Sequence, residues 1–326
     1  MNNKPFLLKP AGKDYLWGGE RLKSEFGKDL PLTPLAETWE CSTHPDGPST
    51  VASGLYAGQS LTDVLNAHPE YLGSRHAHSG ELPILIKFID AAKDLSVQVH
   101  PTDEYAAEHE NGQSGKSELW YVLDAAEDAK LVYGFQQDMI PEQVRTSIEQ
   151  GSVQKYLNCV PIRKNDVFYV EAGTVHGIGA GALIAEIQEN SNLTYRLYDY
   201  DRVDKNGRKR ELHVDKALAV ANLKACAAPR QPLRVLKYRQ GCATEFLRRC
   251  PYFEVHRMLL NTDTHGVSYQ TDDFSFHVLL CTEGHGTLDM AEGESLKFQA
   301  GSCIFIPANS TELRLRGSGQ LLDVRS

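Results

Sequence analysis

Two hydrophobic periods run along the chain, and the shorter one dominates. The run Ile84-Leu85-Ile86-Lys87-Phe88-Ile89, entered through Pro83, is almost continuously apolar and suits a strand buried on both faces. Further strands are expected over Leu95 to His100, Leu119 to Leu123, Lys130 to Gly134, Val167 to Val170, Leu183 to Gln188 and Thr194 to Tyr198. Helical spacing predicts helices over Leu61 to Tyr71, Pro141 to Gln150 and Leu212 to Leu223, the second with proline at its start. Many short strands punctuated by Gly, Asn and Asp, with few helices between them, predict a mainly β protein built as a barrel or sandwich.

The proline-containing stretch Ala227-Ala228-Pro229-Arg230-Gln231-Pro232 precedes a last all-β segment, which includes Phe276 to Leu280, Gly284 to Leu288, Cys303 to Pro307 and Leu321 to Val324. Two domains are therefore expected, 1–231 and 232–326, and a chain of 326 residues is long enough to hold both.

Charge narrows the function classes. A formal net charge of −9 excludes a general nucleic-acid binder, which needs a dense basic face to displace counterions. Any phosphate ligand must be met by a local basic pocket. The short apolar run Phe6-Leu7-Leu8 falls well below a signal-peptide core, and no stretch reaches the length of a membrane span, so a cytoplasmic protein with no membrane partner is expected. The seven cysteines are scattered, without CxxC spacing, and most read as reduced core residues.

The chemistry begins at Leu95-Ser96-Val97-Gln98-Val99-His100-Pro101. Side chains alternate along a strand, so Ser96, Gln98 and His100 share one face and the two valines the other. Polar groups facing a closed interior must be satisfied there, and a metal ion would do it. Glu118 in Gly115-Lys116-Ser117-Glu118, and His176 after Ala172-Gly173-Thr174-Val175, are further candidate ligands. Taken singly, His100 also reads as a hydrogen-bonded core histidine and His176 as a loop histidine. Spacing alone does not bring the three distant segments together.

These segments, with Trp17-Gly18-Gly19, Glu37-Thr38-Trp39-Glu40-Cys41-Ser42 and Glu186-Ile187-Gln188 running on to Arg196, resemble in order the signatures of type I mannose-6-phosphate isomerases, in their short bacterial form. The resemblance implies two cupin-type (jelly-roll) β-barrels with a few added α-helices, and one Zn2+ per chain held by Gln98, His100, Glu118 and His176. It implies interconversion of mannose 6-phosphate and fructose 6-phosphate through an enediol, with Lys116 and Arg196 as active-site cations. Trp17 and Ser96 would join them in holding the sugar phosphate. Many family members carry Asp four residues before the active-site Arg, whereas this chain has Asn192, so Glu186 becomes the candidate for proton transfer.

A hairpin of Leu183–Gln188 with Thr194–Tyr198 would set Glu186 opposite Arg196. A second basic cluster, Arg202, Lys205, Arg208, Lys209 and Arg210 around Asn206-Gly207, reads as a solvated hairpin tip ahead of a phosphate site. The C-terminal segment looks like a second cupin without metal, Glu312 standing where the ligand His would be, and is given a packing role. A monomer or weak homodimer is expected. The competing readings are a catalytically silent sugar-phosphate binder, kept open by Asn192, and an iron-dependent cupin oxygenase, against which Gln98 as a ligand argues.

Overall fold

The computed structural model describes residues 3–326 apart from 77–79, 204–206, 228, 230, 232 and 263–264. The structure is mainly β, arranged in three sheets. A six-stranded sheet runs in the order Val167–Val170, Glu118–Ala125, Ala182–Glu189, Ile84–Ala91, Glu37–Cys41, Ala11–Lys13. A five-stranded sheet runs Tyr195–Tyr198, Val97–Val99, His176–Ile178, Lys130–Phe135, Leu157–Pro161. These two form the jelly-roll that carries the site.

The six-stranded sheet is covered on both faces, which is why Ile84–Ala91 reads as an apolar run broken only by Lys87 and Asp90. Ile84, Ile86 and Phe88 join Leu119, Tyr121, Leu123, Leu183, Ala185 and Ile187 in a core shared with Phe276, Val278 and Phe305 of the C-terminal half. Ile89, Trp120, Val122 and Ile184 point the other way, into the jelly-roll with Trp17 and Ile178. Strand alternation thus sends one apolar set outward and one inward, and Lys87, Glu118 and Glu186 share the inward parity.

The ten-stranded third sheet takes eight strands from the C-terminal segment and two, Phe6–Lys9 and Thr50–Val51, from the N-terminus. Phe6 lies opposite Phe305 in register. The boundary residue Pro232 lies outside the described residues, and the N-terminal strand crosses the division expected there.

The helices are shorter than expected. Leu61–Ala67 is capped by Ser60, whose Oγ accepts from Asp63 N at 3.0 Å, and ends where Pro69 starts a 3-10 turn, Pro69–Leu72. Leu212–Leu223 contracts to Val214–Val220, because Ala221 is extended and the next residue, Asn222, donates its N–H to Gly173 O at 2.7 Å. That bond braces the turn before His176. The helix Asp103–His109 was not expected, since it buries only Ala106.

One expected pairing fails. Ala182–Glu189 pairs with Ile84–Ala91 and Glu118–Ala125, while Tyr195–Tyr198 pairs with Val97–Val99 in the other sheet. The segment between them carries the chain from one wall of the jelly-roll to the other and makes no hairpin. Burial of both faces of the first strand outweighs the local turn signal at Asn190-Ser191-Asn192.

Candidate active site

Two cross-strand rows face each other across the jelly-roll. In the five-stranded sheet Gln98 lies opposite Arg196 on one side and His176 on the other. In the six-stranded sheet Glu186 lies opposite Trp120 on one side and Lys87 on the other, and Lys87 in turn lies opposite Trp39. Between the rows is a cavity of about 310 Å³, whose wall includes Trp17, Ser96, Gln98, Lys116, Glu186 and Arg196. That volume suits a small ligand. The cavity is where Glu186 and Arg196 meet, from opposite sheets.

Ligand atoms of His100, Glu118 and His176 all lie within 4.8 Å of one another, and all three residues are buried. Nδ1 of His176 donates to Thr174 O at 2.8 Å, which fixes the tautomer and aims the Nε2 lone pair inward, 3.2 Å from Glu118 Oε1. Gln98 reaches the same point, its amide nitrogen 3.4 Å from His176 Nε2 while Ser96 Oγ lies 3.4 Å from its Oε1. A half-turn of the amide exchanges those two ends and offers oxygen to the centre. Glu118 Oε1 is buried without a hydrogen bond, while Oε2 lies 2.6 Å from Lys116 Nζ. Two imidazole nitrogens, a carboxylate and an amide group converging on one buried point form a donor set that suits a borderline divalent cation.

Burial pushes the His100 imidazole well below its ordinary range, and pushes His176 down to about 4. Both rings are neutral, the form that ligates a metal. Burial also raises the Glu118 carboxyl to about 7, with Glu186 adding to the rise and Lys116 opposing it. On Glu186 burial acts in the same direction but is outweighed by Lys116 and Lys87, which hold it at about 2. Glu186 accepts from Trp120 Nε1 at 2.9 Å and pairs with Lys87 at 3.2 Å and Lys116 at 3.7 Å. The two carboxylates are thus set apart by their cation partners.

The loop presenting Lys116 is tightly held. Asp103 Oδ1 accepts from Gly115 N at 2.8 Å, Pro101 O from Lys116 N at 3.1 Å and Glu189 Oε1 from Ser117 N at 2.6 Å. A Cβ on Gly115 would come within 2.5 Å of Asp103 N, so only glycine fits this approach.

Comparison with known proteins decides which chemistry this site belongs to. The family model for the phosphomannose isomerase type I catalytic domain matches residues 6–148, and that for the mannose-6-phosphate isomerase cupin domain matches residues 243–326. The mannose-6-phosphate isomerase ManA of Bacillus subtilis is 36% identical over 323 residues, covering 99% of each chain. The chain belongs to the type I mannose-6-phosphate isomerase family. The mannose-6-phosphate isomerase of Streptococcus mutans is also 36% identical, over 93% of this chain and 92% of its own. The crystal structure of the Bacillus subtilis mannose 6-phosphate isomerase superposes with a TM-score of 0.88 at 34% identity, covering 98% of this chain and 99% of that one. The protein is therefore an isomerase of this family, with a cupin jelly-roll fold.

Sequence reasoning missed some of the cavity wall in this mannose-6-phosphate isomerase family member. Lys87 stands between Glu186 and Glu37, 3.2 and 3.7 Å away, over the Trp39 ring. The signal was a single lysine inside an apolar strand, too costly to bury without partners. Tyr15 and Arg210 also line the cavity, Arg210 from the cluster read as a solvated tip. Val203 and Lys209 do form an antiparallel bridge there, while Lys205 and Asn206 lie outside the described residues. Asn192 lines the cavity and donates to Asp46 at 2.7 Å. In the C-terminal half His277 Nδ1 is 2.8 Å from Asp323, and Glu312 is exposed beside Arg314.

Proposed function

We propose that this family member interconverts mannose 6-phosphate and fructose 6-phosphate in the cytoplasm, with one zinc ion held by Gln98, His100, Glu118 and His176. The observation that carries this reading is the convergence of ligand atoms of His100, Glu118 and His176 in one buried cluster, Glu118 Oε1 lacking a hydrogen bond, beside the cavity that Lys116, Glu186 and Arg196 enter. The chemistry such an ion supplies when bound is polarisation of the substrate's carbonyl and hydroxyl oxygens.

The remaining work falls to the chain's own side chains. The open-chain aldose loses its C2 proton, and the enediol regains one at C1 as the C2 hydroxyl becomes the carbonyl. No oxidant is consumed. Arg196 is the cation for the negative charge that develops on oxygen. Lys116, paired with Glu118 and Glu186, moves protons at the substrate oxygens, and Glu186, which lines the same cavity, is the carboxylate for the proton transfer at carbon. Trp17 and Ser96 shape the wall on which the sugar rests.

The test is a coupled assay of fructose 6-phosphate formation from mannose 6-phosphate on chelator-treated protein, before and after zinc is restored. Turnover that returns with zinc is expected. Absence of turnover in zinc-loaded protein sinks the reading.

A further inference from the structure

The strand Tyr195–Tyr198 is the outer strand of the five-stranded sheet, paired with Val97–Val99 on one side and, among the described residues, with no strand on the other. An open edge leaves N–H and C=O groups to be satisfied by other means, and here the chain just before the helix Val214–Val220 covers it. His213 N donates to Arg196 O at 2.7 Å, and Arg196 N donates to His213 Nδ1 at 3.1 Å. Both backbone groups of Arg196 are thus satisfied from the open side. Glu211 O accepts from Arg196 Nη1 at 2.9 Å, so the stretch 211–213 holds the main chain and the side chain of this cavity residue together.

One member of this pairing is not backbone. A ladder partner would offer Arg196 its own carbonyl, but His213 O is taken by Ala217 N at 2.8 Å, the bond that opens the helix. The imidazole supplies the missing acceptor. A backbone N–H only donates, so Nδ1 carries a lone pair and the neutral ring keeps its proton on Nε2. Burial, with the Arg196 charge adding to it, lowers the proton affinity of the ring and favours that form. His213 lies outside the cavity wall, so any effect it has on the chemistry passes through Arg196.

The far end of the same segment reaches the metal candidates. Asn222 N donates to Gly173 O at 2.7 Å, and Gly173 N to His100 O at 2.8 Å. The helix between them therefore ties Arg196 to the turn that presents His176.

We propose that His213 is the positioning residue for Arg196: its ring nitrogen completes the open edge of the strand and fixes where the guanidinium enters the cavity. The assignment rests on the isomerase reading above. Arg196 answers charge that develops on oxygen during the reaction, so a misplaced guanidinium lowers kcat more than it raises KM.

The experiment measures hydrogen exchange at the Arg196 amide and, separately, kcat and KM for mannose 6-phosphate on zinc-loaded protein. His213→Leu keeps bulk and loses the acceptor; it should speed exchange at that amide by about tenfold or more and lower kcat by about ten- to a hundredfold, with KM within about threefold. His213→Asn places an amide oxygen near the Nδ1 position and should recover most of both losses. Asp215→Asn, on the same helix with its exposed carboxylate 2.6 Å from Arg145, should match wild type. In an Arg196→Ala background the residual turnover should fall no further when His213→Leu is added. Unchanged exchange in His213→Leu, a loss confined to KM, or an equal fold loss with and without Arg196 overturns the proposal. Exchange is read without turnover, so an inactive wild type would fail the isomerase reading and leave the test of this contact intact.

Discussion

The hydroxyl of Tyr252, in the C-terminal half, donates to Asp103 Oδ2 at 2.9 Å, and the other oxygen of that carboxylate holds Gly115 N at 2.8 Å. One residue further along the chain is Lys116. A side chain of the half expected only to pack therefore touches the support of an active-site loop.

Tyr252→Phe removes that hydroxyl and leaves the ring in place. The expected cost is about 1–2 kcal/mol for a lost partner to a carboxylate. Because Asp103 then grips Gly115 without its second anchor, kcat should fall by more than KM rises. Denaturant unfolding together with steady-state kinetics checks both; unchanged kinetics at reduced stability would limit Tyr252 to holding the halves together.

Glu189 lies in the same cluster, and burial, with Asp103 adding to it, raises its carboxyl to about 8 from 4.5. The folded state thus binds a proton that the unfolded chain releases above 4.5, and stability falls as pH rises from about 4.5 through 8. Glu189→Gln still offers an oxygen to Ser117 N but carries no charge. Its urea midpoint should fall less than the wild-type midpoint as pH rises across that window; parallel curves for the two proteins would contradict this.

His176→Ala should lose both bound metal and isomerase activity, since it deletes one of the four proposed ligands. Glu312→Ala removes an exposed carboxylate whose partners are Ser268 at 3.1 Å and Arg314 at 3.8 Å, and should spare both. Elemental analysis of the purified variants reads the outcome directly. Equal damage from the two substitutions would argue against a single metallated jelly-roll.

Phe305 is fully buried and stacks between Phe6 and Phe276, with ring centroids 5.3 Å from each. Phe305→Ala should cost about 3–5 kcal/mol, because three elements lose their common filler at once. Thermal unfolding checks the loss, and a small shift would mean that the neighbouring rings close the gap.

Much of the site was legible because strand alternation is a local rule. Ser96, Gln98 and His100 could be given one face from seven consecutive residues, and the structure lays Ser96 and Gln98 along the cavity and His100 beside Glu118 and His176. Lys87 was not recovered, because one charge inside an apolar run does not announce its partners; Glu37 and Glu186 come from two other strands. Arg210 was read as a surface charge, since a turn signal nearby says nothing about the buried Asp199 that draws the side chain inward. The hairpin expected for Glu186 and Arg196 failed for a related reason. Register between strands of different sheets depends on the path of the chain through space, which short-range patterns do not encode.

The strand Phe6–Lys9 lies between Thr50–Val51 and Cys303–Ile306 in the ten-stranded sheet. During synthesis on the ribosome only the first of those neighbours is available, so Phe6 keeps an open edge until Phe305 has emerged. The sheet therefore closes only through a contact of very long sequence separation, a kind that forms late because loop entropy must be overcome first. A fusion or deletion at the amino terminus would be felt in the last sheet to assemble as much as in the first.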